Sequence, residues 1–345
     1  MNGNARALTI ACTVAVVSLG CGTPLMGPSP VPPGDYSNLD WPIVQTGPDG
    51  KAHARTYIVH VPQGASGSTP LPVVIDYHPL GANGFTQAQY SGMEHWADVL
   101  SFIAVHPDAA GFAWNATGLE PLTGLDVGLD DVDFTRQILA TLDGHFAIDR
   151  NRIFVTGFSS GALMSGRVAM DSAAGKLAPY RIAAAATVSA FPATPLSAGN
   201  PTGPLVCPAL AADPVPLFII ISDNDPVAAS LIDPGVSGPS AVAAVVAKAH
   251  ETAGEWASLC GNHGPPAITL TGLTGWGVVT ETDVFAARVQ PGPGDVRLDI
   301  FDAPANLATS GYLGHIWPGP PQGTRLDASA EILAFFAAHP RSSSP

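Results

Sequence analysis

The sequence predicts a single α/β domain whose mainly parallel sheet carries helices on both faces. Three observations carry that expectation. Short apolar runs of strand length alternate with longer segments of helical period through most of the chain, the pattern of repeated β–α units. The composition does not change beyond residue 41, and no repeat of 20–50 residues interrupts it. A Gly-x-Ser-x-Gly at 157–161 stands between a strand-like run and a helical one. A length of 345 residues permits one large domain or two, and the unbroken alternation favours one.

The chain opens with Asn2, Asn4 and Arg6, then an apolar run over 7–19. That run is too short to span a bilayer and has the length of a signal-peptide core, so residues 1–20 read as an export signal. Cys21 follows Gly20 directly and resembles a bacterial lipoprotein processing site, with free secretion as the alternative. Either way the protein works outside the cytoplasm, secreted or lipid-anchored. Residues 21–40 are rich in Pro, Gly and Ser and read as a tether. The remaining 41–340 read as the catalytic domain. Strands are expected at 55–61, 72–77, 102–106, 152–156, 182–189, 217–221 and 296–301. Helices are expected at 130–146, from the Gly-x-Ser-x-Gly turn to about 170, at 240–259 and at 326–338.

Composition narrows the function. Lys and Arg number 14 against 28 Asp and Glu, a net charge of −14. Nucleic acid is excluded as a partner, because phosphate binding needs clustered Lys and Arg. An acidic surface repels anionic polymers and anionic lipid, which leaves a neutral substrate. Hydrophobic residues reach 46%, ample for a core. Of the 4 cysteines, Cys12 leaves with the signal. Cys207 and Cys260 are then expected to form a disulfide in an oxidising compartment.

Gly157-Phe158-Ser159-Ser160-Gly161 follows RIFVT and precedes Ala162, Leu163, Met164 and Val168. A nucleophile elbow needs that strand–turn–helix setting, and its flanking glycines avoid clashes in the tight turn. Ser159 is the nucleophile candidate. A serine hydroxyl needs a base, usually His held by a carboxylate, and in this chain order the acid and then the His follow the serine. His315 lies between the last strand and the last helix and is the base candidate. The run 217–221 ends in Ser222-Asp223-Asn224-Asp225-Pro226, so Asp225 is the acid, with Asp223 as the alternative. The backbone N–H of Ser160 is one oxyanion donor. The other is expected from Tyr77-His78-Pro79-Leu80-Gly81; Pro79 has no N–H, which leaves Leu80. His78 supports this loop and is also a candidate for the substrate site.

Beyond these residues the chain resembles the extracellular polyhydroxybutyrate depolymerase-like and feruloyl or acetylxylan esterases of the α/β-hydrolase fold. The resemblance rests on RTYIVHVP, YHPLG, FIAVHPD, AWN, IDRNRIFVTGFSSGALMSG, SDNDPV and GHIWPG, and runs from about 55 to 319. It implies Ser159, His315 and Asp225 as the catalytic residues. It also places Trp114, Asn115 and Trp317 near the substrate. Two departures stand out: His-Pro replaces the family's usual His-Gly in the loop at 78–79, and Ile-Ser-Asp-Asn-Asp replaces its His-Gly-Thr-x-Asp at the acid.

The resulting expectation is a serine esterase that cleaves polyester or related ester bonds through an acyl-enzyme. A feruloyl or acetylxylan esterase is the alternative within the class, and a non-catalytic binding lipoprotein on the same scaffold the alternative outside it. No cofactor is expected. No metal site is expected either, since His-Glu-x-x-His and Cys/His clusters do not occur.

Overall fold

In a computed structural model, residues 32–65, 69–111, 113–116, 128–192, 207–271, 278–286, 292, 294–302, 314–320 and 323–342 are described. The predicted signal, Cys12 and Cys21 lie outside them.

The central strands are β4 (Tyr57–Val61), β5 (Leu71–Tyr77), β6 (Ile103–Pro107), β7 (Ile148–Gly157), β8 (Ala184–Val188), β9 (Leu217–Ser222) and β12 (Val296–Phe301). Short strands extend the sheet: β1 (Gly34–Ser37) on one side, β10 (Ala267–Leu270) and β11 (Val279–Phe285) on the other. The 10-stranded order is β1-β4-β6-β5-β7-β8-β9-β12-β11-β10. From β6 to β12 every pairing is parallel, and the pairings outside that run are antiparallel. A separate hairpin joins β2 (Ile43–Thr46) to β3 (Ala52–Arg55).

Strands buried on both faces read as continuous apolar runs, and β8 (AAATV) and β9 (LFIIIS) are buried throughout. Their side chains alternate between two cores. Leu217, Ile219 and Ile221 join Ile138, Leu142, Val168 and Trp256 on one face. Phe218 and Ile220 join Met93, Ile332 and Phe336 on the other. The first face carries α3 (Asp131–His145), α4 (Ser160–Ala173) and α7 (Gly238–Leu259); the second carries α2 (Met93–Leu100) and α8 (Ala328–Ala338). Shorter helices are α1 (Gly84–Ser91), α5 (Pro208–Ala212) and α6 (Pro226–Ile232). Buried Arg55 ties the hairpin to the head of α3: its guanidinium bonds Asp131 at 2.6 Å and lies 3.8 Å from the Phe134 ring centre.

The structure corrects the sequence reading at two places. Gly34–Ser37, inside the stretch read as tether, forms β1 and pairs with β4 along its whole length. The expected disulfide is not formed: Cys207 and Cys260 are buried free thiols. Each sulfur is directed at a backbone carbonyl, Cys207 at Met170 (3.9 Å) and Cys260 at Val215 (3.7 Å), so both serve as small core residues. Burial pushes both thiols up, Cys260 to about 12.

Candidate active site

The turn after β7 is set by two glycines. A Cβ on Gly157 would lie 2.5 Å from the Gly161 backbone, and one on Gly161 would lie 2.0 Å from the Tyr77 carbonyl oxygen. Only hydrogen fits, so β5 and the head of α4 close in from both sides. Ser159, between them, is held at φ 55° and ψ −116°, a strained conformation for a residue with a side chain. Its N–H donates to Val188 O (2.9 Å), and Phe158 N–H donates to Tyr77 O (3.1 Å).

Asp225 follows β9 and caps α6. One carboxylate oxygen accepts from Val227 and Ala228 N–H, both at 2.9 Å, and Pro226 takes the first helical turn, where no N–H is needed. The same carboxylate, fully buried, meets His315 Nδ1 at 2.9 and 3.1 Å. A carboxylate only accepts, so the proton sits on Nδ1 and leaves the Nε2 lone pair free. Nε2 lies 2.8 Å from Ser159 Oγ and accepts its proton. The structure therefore brings Ser159, His315 and Asp225 into one relay. Of the two candidate aspartates, Asp225 is the one whose carboxylate meets His315; the Asp223 N–H continues the pairing of β9 with β12, donating to Phe301 O at 3.1 Å.

The other candidates take different places. His78 is 1% exposed; Ala109 N–H donates to its Nε2 (3.0 Å) and Nδ1 donates to Pro79 O (2.8 Å), so it is neutral. Burial holds its pKa below the usual imidazole value. Trp114, fully buried, donates from Nε1 to His78 O (2.8 Å). Both brace the turn after β5 from behind rather than facing a ligand. Asn115 is also a brace, its N–H to Asp131 (2.7 Å) and its side chain to Leu129 O (3.0 Å). Trp317 is buried with its indole N–H on Ser329 Oγ (3.0 Å), yet it lines a cavity. Ser160 N–H is the first of α4 and by position has no intrahelical acceptor. Leu80 lies in the exposed turn after His78.

Several neighbours carried no sequence signal of their own. Ser189, also at φ 55°, donates its hydroxyl to Ile316 O (2.8 Å) and holds the segment that bears the imidazole. The Phe158 ring lies 5.2 Å from His315, and the Tyr90 ring lies 6.0 Å beyond, edge-on. Elsewhere His250, Glu281 and Asp283 gather between α7 and β11. There Asp283 faces Nδ1 (2.9 Å) and Glu281 faces Nε2 (3.4 Å), with one ligand atom from each of the three residues within 4.8 Å of the others.

A mainly parallel sheet, a strained serine at a strand-to-helix turn, and an acid and His following it in chain order decide the fold. The chain has the α/β-hydrolase fold. A solved acetyl xylan esterase from Aspergillus awamori agrees, with a TM-score of 0.55 over 88% of this chain and 99% of that one; at 16% identity the likeness is one of fold. By sequence the chain is related to esterases. It is 27% identical over 246 residues to a protein named as an esterase, NocK, of Nocardia uniformis subsp. tsuyamanensis, covering 66% of each. It is 29% identical over 117 residues to acetylxylan esterase A of Emericella nidulans, covering 33% of this chain and 36% of that one. Over 116 residues it is 29% identical to feruloyl esterase B of Piromyces equi, covering 32% and 20%. The chain thus spans under two thirds of the length of most curated relatives it matches. No protein-family model matches it.

Proposed function

We propose that the protein is a serine carboxylic-ester hydrolase working through an acyl-enzyme. The observation that carries this is the continuous relay from Asp225 through His315 to Ser159, with contacts of 2.9 and 2.8 Å. Ser159 Oγ attacks the ester carbonyl carbon as His315 Nε2 takes its proton, and Asp225 holds the imidazole in the needed tautomer. Negative charge on the carbonyl oxygen is met by the N–H groups of Ser160 and Leu80. The intermediate expels the alcohol, which leaves with the proton from Nε2. Water then attacks the acyl-serine with the same base, giving the acid and the free enzyme.

Two substrate classes stand behind this reading. The sequence motifs favour polyesters of the polyhydroxybutyrate type. The relatives' names, acetylxylan and feruloyl esterase, favour esters of plant cell-wall glycans. Product release from polyhydroxybutyrate, methyl ferulate and acetylated xylan, each against a Ser159→Ala blank, decides between them. Release that Ser159→Ala leaves intact would refute the nucleophile. A non-catalytic scaffold is disfavoured by the intact relay, and covalent labelling of Ser159 by a fluorophosphonate tests it. We also read residues 1–20 as an export signal with lipid attachment at Cys21. Cys21→Ala should move the protein from the membrane to the soluble fraction; an unchanged distribution would remove the anchor.

A further inference from the structure

Two carboxylates share one imidazole at the antiparallel end of the sheet. Glu281 and Asp283 stand two apart on β11, so their side chains leave the same face of the strand. Phe285 is next on that face, and a Cβ at Gly254 of α7 would meet its ring at 3.9 Å. His250 lies one turn before Gly254 on the same side of the helix, which sets its ring over the two acids. Nδ1 is 2.9 Å from Asp283 Oδ2, and Nε2 is 3.4 Å from Glu281 Oε1. No ligand spacing marks the group in the chain, since His250 and Asp283 are 33 residues apart and meet through the packing of α7 on β11.

Charge and hydrogen bonding are both left open there. Asp283 is fully buried, and its second oxygen, Oδ1, has no hydrogen-bond partner among the described residues. No described Lys or Arg pairs with either carboxylate. The two acids carry two negative charges, and a protonated His250 returns only one. Buried charge is compensated by pairing or by a metal ion, and a divalent cation beside a neutral imidazole closes the balance.

The distances favour the ion over a second proton. An N–H···O bond runs to about 2.7–3.2 Å, so the gap from Nε2 to Glu281 is long for one. Zinc takes imidazole nitrogen at about 2.0–2.1 Å and carboxylate oxygen at about 2.0–2.2 Å, and two such ligands on a tetrahedral ion stand about 3.4 Å apart. Nε2 and Glu281 Oε1 have that separation. An octahedral Mg²⁺ would draw neighbouring ligands to about 3 Å. With the His250 proton on Nδ1 toward Asp283, the Nε2 lone pair faces Glu281. A carboxylate behind the ring, fixing the tautomer and raising the basicity of the other nitrogen, is the usual companion of a metal-bound histidine. His250 and Glu281 are both part exposed, which gives an ion an entry path and water for its remaining positions. We propose that His250 Nε2 and Glu281 bind a divalent ion of the zinc type, with Asp283 holding the imidazole, and that the ion ties β11 to α7. The site stands apart from the relay and is independent of the ester-hydrolase reading.

The test is calorimetry of the chelator-stripped protein titrated with ZnCl2 and, separately, with CaCl2, beside thermal unfolding in the same solutions. The wild type should bind Zn²⁺ at a saturable site, more tightly than Ca²⁺, and its unfolding midpoint should rise with Zn²⁺. His250→Gln and Glu281→Gln, both at part-exposed positions, should each weaken Zn²⁺ by about tenfold or more and remove the rise. Asp283→Asn, which keeps an acceptor for Nδ1 but withdraws the charge, should weaken it by about 10–100-fold. Ester turnover by His250→Gln in the absence of zinc should match the wild type. Zn²⁺ binding that survives His250→Gln overturns the site and places the ion elsewhere on the acidic surface or at His315. A wild type that binds no Zn²⁺ overturns it as well, and Ca²⁺ bound as tightly as Zn²⁺ overturns the imidazole as a ligand. If Asp283→Asn does not fold, the two part-exposed substitutions still decide.

Discussion

Gly314→Ala tests the relay without touching a functional group. A Cβ at Gly314 would lie 2.1 Å from Asn224 O, 2.6 Å from Asn224 C and 2.9 Å from Asp225 N. All three are backbone atoms of the loop that carries the acid, so no side chain can swing aside. Restoring the shortest contact to an ordinary 3.4 Å requires a movement of about 1 Å. That movement falls between His315 and Asp225, whose closest contact is 2.9 Å, and it also draws Nε2 from Ser159. A misplacement of about 1 Å costs on the order of 10²-fold in rate. The expected result is therefore a kcat/KM on p-nitrophenyl acetate lower by roughly that factor. Overpacking should also cost about 1–3 kcal/mol of stability, read by urea unfolding. Gly144→Ala is the control: its Cβ would meet nothing within 4 Å in the last turn of α3, so it should add about 0.5–1 kcal/mol and leave kcat unchanged. A Gly314→Ala protein that unfolds like the wild type and keeps kcat/KM within about twofold would refute the closeness on which the relay depends.

Asp225→Asn should lower kcat by about 10⁴-fold through loss of the required tautomer. It should barely change the unfolding midpoint, since Asn also caps helices; a small rate loss would return the acid to Asp223. Burial depresses the His78 pKa, so between the folded value and the ordinary value of about 6.5 the unfolded chain binds more protons. Its contribution is complete above about pH 6.5 and is lost as pH falls through the folded value. His60 acts in the opposite sense. Burial lowers its pKa, but Asp35 and Asp98 outweigh that and raise it, so its contribution is present in acid and lost as pH rises through the raised value. The midpoint difference between wild type and His78→Gln, from pH 7.5 to about 5, isolates His78 and should shrink in acid; a constant difference would refute the neutral assignment. Without reductant, a thiol reagent should titrate Cys207 and Cys260 only after unfolding, and no titration even then would mean that they are bonded.

The central sheet was legible because most of its parallel strands carry apolar runs, continuous in β8 and β9 and broken by charged residues in β7 and β12. The expected strands at 72–77, 102–106 and 296–301 fall within a residue of β5, β6 and β12. Of the antiparallel strands β4 was legible, inside the expected 55–61, whereas β1, β10 and β11 were not. Every residue of Ala267–Leu270 is exposed, and Gly34–Ser37 lies in the stretch read as a tether, so backbone pairing rather than side-chain burial defines those strands. The helices α1 and α2 share one stretch broken at Gly92, whose φ of 60° ends the first as the second begins. At the site, Ser159 and His315 were visible from their local settings. The acid was ambiguous because two aspartates stand two residues apart, and the capping of α6 orients one of them. The supporting role of His78 in its loop was read from the sequence, but the bracing role of Trp114 was out of reach, since residue type does not reveal which way a ring faces.

Ser189 shows how much of the site depends on contacts across the sheet. Val188 O receives the Ser159 N–H, and the next residue gives its hydroxyl to Ile316 O, so adjacent atoms at the end of β8 hold the nucleophile and the base. Ser189→Ala removes the second bond and leaves a carbonyl without its donor beside His315. One hydrogen bond of about 1–1.5 kcal/mol corresponds to a fall in kcat of roughly tenfold, with KM little changed because no substrate contact is lost. Ser189→Gly removes the same bond but also relieves a positive φ, so it should match the alanine variant in kcat while exceeding it in stability. Equal kcat in Ser189→Ala and wild type would mean that Gly314 and Asp225 alone position the imidazole. A Gly variant faster than the Ala variant would assign the effect to backbone strain rather than to the hydroxyl.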